Sequence, residues 1–295
     1  MKKPQLIETV PVPGGDYTLA RWPGDDRNAI LAVHGITASH CAWPPVVDNL
    51  KGGYTVLAPD LRGRGASNEL PAPYGLKVHA ADLLAVLDHY GIERCVCAGH
   101  SLGAYIALEL ALLAPGRLRG LVLVDGGIAL PPREGVSKEQ VIKGVLGPAL
   151  ARLEMRFESS EAYADFWRKH PAFQDEGAWN TYVESYVAYD LVGAAPQLRS
   201  RVNAAAVAAD ASDLQEPEIV TLIDSVDLPM ILLTAPRGIM NQPQPLMPPA
   251  AVAEKCAKLA NLKHIDIPDT NHYSIMTGSG RIQVAKEIDA FIAGL

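Results

Sequence analysis

The pentapeptide Gly99-His100-Ser101-Leu102-Gly103 has the residue types and spacing of a nucleophile site. It stands where an apolar run, Arg94-Cys95-Val96-Cys97-Ala98, meets a helical pattern from Leu102 to Ala114. A G-x-S-x-G sequence between a strand and a helix holds its central serine on a sharp turn, in a strained backbone conformation. The flanking glycines are needed because a side chain there would collide with the neighbouring strand or helix. Ser101 Oγ then projects from the tip of the turn above the N-terminal dipole of the following helix. An unremarkable glycine-rich strand–helix connection has the same letters, and it is the strand before and the helix after that favour a nucleophile. A serine hydroxyl attacks poorly at neutral pH unless a base takes its proton. Among eight histidines, His272 in Thr270-Asn271-His272-Tyr273 follows the last strand-like segment and is the expected base. His100 should turn away on the elbow and pack it, and His34 should shape its own loop. His40, His79, His89, His170 and His264 have no motif around them and read as surface or helix residues.

The elements that must position these groups alternate. Leu6 to Val12 and Tyr17 to Trp22 read as a hairpin through Pro13-Gly14-Gly15-Asp16. Ala29 to Val33, Tyr54 to Ala58 and Leu121 to Val124 are short continuous apolar runs, as expected of strands buried on both faces. Val78 to Tyr90 repeats apolar residues at helical spacing, with Gly91 as its stop. Such alternation predicts an α/β chain with a mostly parallel sheet and helices on both faces. Each candidate loop lies after the C-terminal end of a strand, where such sheets place their sites. From 128 to 227 the alternation gives way to helical patterns rich in large apolar residues. It resumes with Met230 to Leu233, Ala250 to Ala260, Lys263 to Ile267 and Gln283 to Ile292. The expected organisation is a core of 1–127 and 228–295 with a helical cap at 128–227. Most of the cap's aromatics should form its own core, while Met155, Trp167, Tyr186 and Tyr189 are the candidates for an apolar substrate wall.

Together these features resemble the α/β-hydrolase fold superfamily over essentially the whole chain. The resemblance rests on the hairpin start, His34-Gly35 after the third strand, and Asp60-x-Arg62-Gly63-x-Gly65-x-Ser67 after the fourth. It also rests on the Ser101 elbow after the fifth strand, the helical segment, and His272 after the last strand. It implies an eight-stranded sheet with the cap over the active site, and an oxyanion hole made by the backbone N–H groups of Ile36 and Leu102. The third triad member departs from the pattern. The loop after the seventh strand, Thr234-Ala235-Pro236-Arg237-Gly238-Ile239-Met240-Asn241-Gln242, holds no acid. Asp125 after the sixth strand, a neutral Asn241, another acid such as Asp269, and a non-catalytic ligand-binding protein of the same fold all stay open. An Asp before Gly126-Gly127 could also merely cap its turn. With serine as nucleophile the intermediate is an acyl-enzyme, so a carboxylic ester or lactone comes first. A C–C bond next to a ketone in a ring-cleavage product is the same-fold alternative.

Composition bounds the rest. The 295 residues are 48% hydrophobic and 20% charged, ordinary for a chain that buries a sizeable core. A net charge of −7 and the lack of a basic run argue against nucleic-acid or anionic-membrane partners. Cys41, Cys95, Cys97 and Cys256 make no metal pattern, and Cys95 and Cys97 share one face of a strand. No metal or cofactor is expected. Lys2 and Lys3 lack a following apolar region, and no stretch approaches the roughly 20 apolar residues of a membrane span. The expectation is a cytoplasmic enzyme whose partner is a small-molecule substrate, with a homodimer as the assembly to consider.

Overall fold

The computed structural model describes residues 5–129, 135 and 137–295. Residues 1–4 of the expected core, Lys2 and Lys3 among them, and 130–134 and 136 of the expected cap lie outside the described residues. The strands are β1 (Leu6–Val12), β2 (Gly15–Trp22), β3 (Asp25–Val33), β4 (Tyr54–Pro59), β5 (Cys95–His100) and β6 (Leu118–Val124), followed by β7 (Leu191–Val192), β8 (Arg199–Ser200), β9 (Met230–Thr234) and β10 (Leu262–Asp266). Eight of them form one sheet in the order β1-β2-β4-β3-β5-β6-β9-β10, while β7 and β8 pair separately. β2 runs antiparallel to both β1 and β4, and every other pairing in the large sheet is parallel.

The strands are buried along almost their whole central length because both faces are covered. All residues of β5 and β9 are buried. Alternation sends Leu31, Val33, Cys95, Cys97, Leu121 and Leu123 to one apolar layer. Ile30, Ala32, Val96, Ala98, Val122 and Val124 go to the other. Helices Leu76–His89, Leu102–Leu113 and Pro249–Lys258 cover the first layer, and Arg281–Ala293 covers the second. A parallel sheet needs such crossovers, which is why the apolar runs carry no polar face.

Between β6 and β9 the chain forms helices Lys138–Glu154, Ser160–Arg168, Thr181–Asp190 and Ala204–Asp213. Ser137, Ser159, Asn180 and Asn203 cap their N-termini through side-chain oxygens, which fixes where each begins. The small β7–β8 ribbon in this interval is not legible as a strand pair in the sequence. Buried polar contacts tie the interval to the core: Asp210 forms an ion pair with Arg64 and lies at hydrogen-bond distance from His79 Nε2, with all three side chains out of solvent. Among the described residues no helix is long and apolar enough to cross a membrane. Nor does any cluster of His, Cys, Asp and Glu among them suit a metal ion.

Candidate active site

The elbow begins with β5, whose last residue hands directly to Ser101 at φ 56° and ψ −120°. A side chain of an L-residue is rarely held at such a φ without surrounding structure to enforce it. Here the enforcement is close backbone packing. A Cβ at Gly99 would stand 2.1 Å from the Gly103 carbonyl oxygen, and one at Gly103 would stand 2.2 Å from that of Val33. Ser101 N–H is also donated to the Val124 carbonyl at 2.9 Å, which locks the turn to β6.

His272 and Asp125 come from different strand ends and meet beside the elbow. His272 Nδ1 lies 2.7 Å from Asp125 Oδ2, and both side chains are buried. Asp125 sits at φ 48°, its N–H donated to the Leu233 carbonyl at 2.7 Å. Its other oxygen, Oδ1, accepts from the Ala235 N–H at 3.1 Å, so both carboxylate oxygens are engaged. The carboxylate therefore fixes a proton on His272 Nδ1 and leaves Nε2 as the basic nitrogen.

Asn241 is elsewhere engaged: its Oδ1 accepts from Asn271 Nδ2 at 3.1 Å. Asn271 in turn donates to the Ala172 carbonyl and accepts from the N–H groups of Tyr273 and Ser274. The structure thus brings Asn241 to the loop that carries His272 and makes it part of that loop's support. Asp269 takes part through its backbone carbonyl, which accepts from Arg237.

The loop opposite the elbow is pinned by His34. Its Nε2 accepts from the Leu61 N–H at 2.9 Å, which places the proton on Nδ1 for donation to the Gly35 carbonyl at 2.8 Å. The Gly35 oxygen also accepts from Ala38 N–H at 3.2 Å. In a trans peptide the N–H points opposite to the C=O, so this double anchoring sets the direction of the Ile36 N–H. Arg64 Nε holds the next peptide by donating to the Ile36 carbonyl at 2.9 Å. A Cβ at Gly35 would come within 3.2 Å of Ser101 Cβ, a measure of how closely the loop approaches the nucleophile. Leu102 is the first residue of its helix, so its N–H has no carbonyl one turn back. Burial pushes the His34 imidazole down to about 3 and keeps it neutral.

Two cavities meet at Ser101. One, of about 90 Å³, is lined by Gly35, His100, Ser101 and His272 on the core side, and by Leu146, Arg152, Phe166, Trp167, Phe173 and Tyr186 from between β6 and β9. The other, of about 480 Å³, takes in Ser101, Leu102, Tyr105, Asp125, Ile128 and Ile142. Trp167 and Tyr186 therefore face the smaller cavity. Tyr189 does not: its hydroxyl donates to Asp60 Oδ2 at 2.6 Å and its ring meets His40 edge-on. Met155 follows the end of helix Lys138–Glu154, is 39% exposed and lines neither cavity.

Two histidines, His40 and His170, differ from their sequence reading, while His79 is a helix residue as read but a buried one. His40 is buried in an ion pair with Asp60, and His79 is buried with Nε2 3.0 Å from Asp210 Oδ2, so neither is a surface residue. His170 lines the cavity beside Ser101, and burial together with the Arg152 charge pushes it down to about 4. His100 keeps close to the site: its Nε2 lies 3.0 Å from the His272 carbonyl and its ring is tilted against His272 at 4.7 Å. Burial, with His272 beside it, holds His100 well below the usual histidine range. Arg152 was missed altogether. Its signal is spread over Tyr163 and Asp190, too far along the chain to read as a motif.

A sequence model described as the alpha/beta hydrolase fold matches residues 28–279. The lipase LipV of Mycobacterium tuberculosis is 34% identical over 153 residues, 51% of this chain and 57% of that protein. An uncharacterized protein of the same species is 41% identical over 102 residues, 34% of this chain and 29% of its own length. The chain thus spans well under two thirds of the length of these curated relatives. Among solved structures, E-2-(acetamidomethylene)succinate hydrolase superposes with a TM-score of 0.80 at 21% identity, covering 98% of this chain and 100% of that one. A thermophilic esterase from Thermogutta terrifontis superposes with a TM-score of 0.66 at 22% identity, covering 99% and 98%. At such identities these likenesses speak for the fold alone.

Proposed function

The chain belongs to the alpha/beta hydrolase fold family, and from that premise we propose that it is a serine hydrolase of carboxylic esters, lactones included. Ser101 is the nucleophile, His272 the general base and Asp125 the residue that orients the base. The observation that carries this reading is the buried 2.7 Å contact of His272 Nδ1 with Asp125 Oδ2, beside an elbow serine that shares a cavity with the same histidine.

In the proposed reaction, His272 Nε2 takes the Ser101 proton as Oγ attacks the ester carbonyl. The N–H groups of Ile36 and Leu102 receive the developing oxyanion, an interaction whose loss typically costs ~10²–10³ in rate. His272 then returns the proton to the departing alkoxide, and water cleaves the acyl-enzyme by the same route. Trp167 and Tyr186 supply part of an apolar wall for the substrate, with the 128–227 interval acting as the cap. The lipase name carried by LipV supports an ester over the C–C alternative.

A fluorophosphonate probe tests the proposal. Mass spectrometry of the labelled protein should place the adduct on Ser101, and p-nitrophenyl butyrate turnover should vanish in Ser101→Ala. A folded protein that neither labels nor turns over short esters would overturn it.

A further inference from the structure

The cavity beside Ser101 contains one unusual group. Of its lining side chains among the described residues, Arg152 alone carries a fixed charge, and no carboxylate lines this lobe. The rest of the wall is largely aliphatic and aromatic, with Ser101, His100, His170, His272, Thr37 and Thr277 as its other polar members. Arg152 is 2% exposed. Its Nη1 donates to the Tyr163 hydroxyl and to Asp190, and its guanidinium lies 5.0 Å from the Trp167 ring centre. Its Nη2 is buried with no hydrogen-bond partner.

A purely structural tie between helices does not explain this arrangement. Leaving buried donors unsatisfied is costly, more so on a charged group. Asp190 offsets part of the charge, but that carboxylate is shared. It also accepts from the Tyr163 hydroxyl and from Ser200 Oγ at 2.9 Å. At Nη2 the guanidinium keeps two N–H groups that no acceptor meets. A planar fork of this kind matches a carboxylate better than any neutral acceptor. His170, in the same wall, is held neutral by burial and the Arg152 charge and so does not compete for the anion.

We propose, resting on the serine hydrolase reading, that Arg152 binds a carboxylate carried by the substrate, remote from the bond being cleaved. The preferred substrates are then esters with an apolar middle and one anionic end, such as half-esters of dicarboxylic acids. The acid end lies against Arg152 and the ester carbonyl against Ser101.

Monomethyl adipate and methyl hexanoate test this, because they match in length and differ only in the terminal carboxylate. The wild-type protein should favour the half-ester in kcat/KM by roughly 10- to 100-fold, the range expected for a hydrogen bond to a charged group. Arg152→Gln should bring that ratio close to one. Asp190→Asn disturbs the same network but keeps the cation, so it should preserve or widen the preference. A structural role for Arg152 would lower both substrates together in both variants and leave the ratio unmoved. Calorimetric affinities of the two esters for Ser101→Ala give the same ratio without turnover. Equal affinity there, with Ser101 still labelled in the parent protein, would overturn the carboxylate proposal while leaving the hydrolase reading intact. Failure of labelling would instead remove the reading on which it rests.

Discussion

Asp125→Asn is the sharpest perturbation of the proposed triad, because both carboxylate oxygens have fixed duties. Oδ1 accepts from the buried Ala235 N–H at 3.1 Å and Oδ2 meets His272 Nδ1 at 2.7 Å. An amide offers one acceptor and one donor, so it must fail one of them. If its oxygen faces Ala235, its NH2 faces His272 Nδ1, and the imidazole proton moves to Nε2, the nitrogen that must accept from Ser101. The opposite orientation sets NH2 against the Ala235 N–H and costs about 1–3 kcal/mol, equivalent to roughly 5- to 150-fold in population. Even then the negative charge that steadies the imidazolium is gone. Together these losses approach the ~10⁴ drop in turnover seen for an Asp to Asn change in a serine triad, about 5–6 kcal/mol. The assay is kcat/KM for a p-nitrophenyl ester together with the rate of fluorophosphonate labelling, which should fall in parallel while circular dichroism stays unchanged. Asn241→Ala is the control. Its side chain accepts from Asn271 and so should cost less than about tenfold. An Asp125→Asn protein within about tenfold of the parent, alongside a collapsed Asn241→Ala, would refute the reasoning.

Further consequences can be measured on the same preparation. His34→Ala removes the donor that orients the Gly35 peptide, so kcat should fall by about 10–10² with KM little changed, read by steady-state kinetics. Asp210→Asn leaves the buried Arg64 without its counter-charge, and urea denaturation should register a loss of about 3–5 kcal/mol. Stability should also pass through a maximum near neutral pH. Folded His34 stays neutral down to about 3, whereas the unfolded chain protonates below ~6.5, so the unfolded state binds more protons and acid destabilises. Burial pulls His40 down, but its hydrogen bond to Asp60 more than offsets this and lifts it to about 10. Its contribution is therefore present below ~6.5 and is lost as pH rises toward 10. Thermal melts from pH 4.5 to 9.5 would contradict this if the midpoint rose steadily in either direction.

The parts of the molecule legible in the sequence are those written locally. The Ser101 elbow, the His34-Gly35 loop and the strand preceding His272 each declare themselves within about ten residues. Their strands are apolar throughout because both faces of the sheet are covered. The acid was ambiguous for a physical reason. Which strand end faces His272 depends on β9 lying between β6 and β10, and on the turn at φ 48° that swings Asp125 under the histidine. The tyrosines of helix Thr181–Asp190 show the same limit. Tyr186 and Tyr189 are three positions apart, yet one reaches the cavity and the other the Asp60 carboxylate. The burial of Arg152, His40 and His79 is not legible in the sequence, because the carboxylates they meet lie 20 or more positions away.

The contact between Asp125 and His272 joins positions 147 apart. It cannot exist until β9 has inserted and β10 has added to its far side. A chain emerging from the ribosome, or a fragment cut before the last strand, therefore holds an exposed serine with no means of activating it. The proposed chemistry thus needs both strands in place, which guards chains that lack them against stray acylation. Return of ester turnover during refolding would report the docking of those strands, a readout separate from the recovery of helical signal.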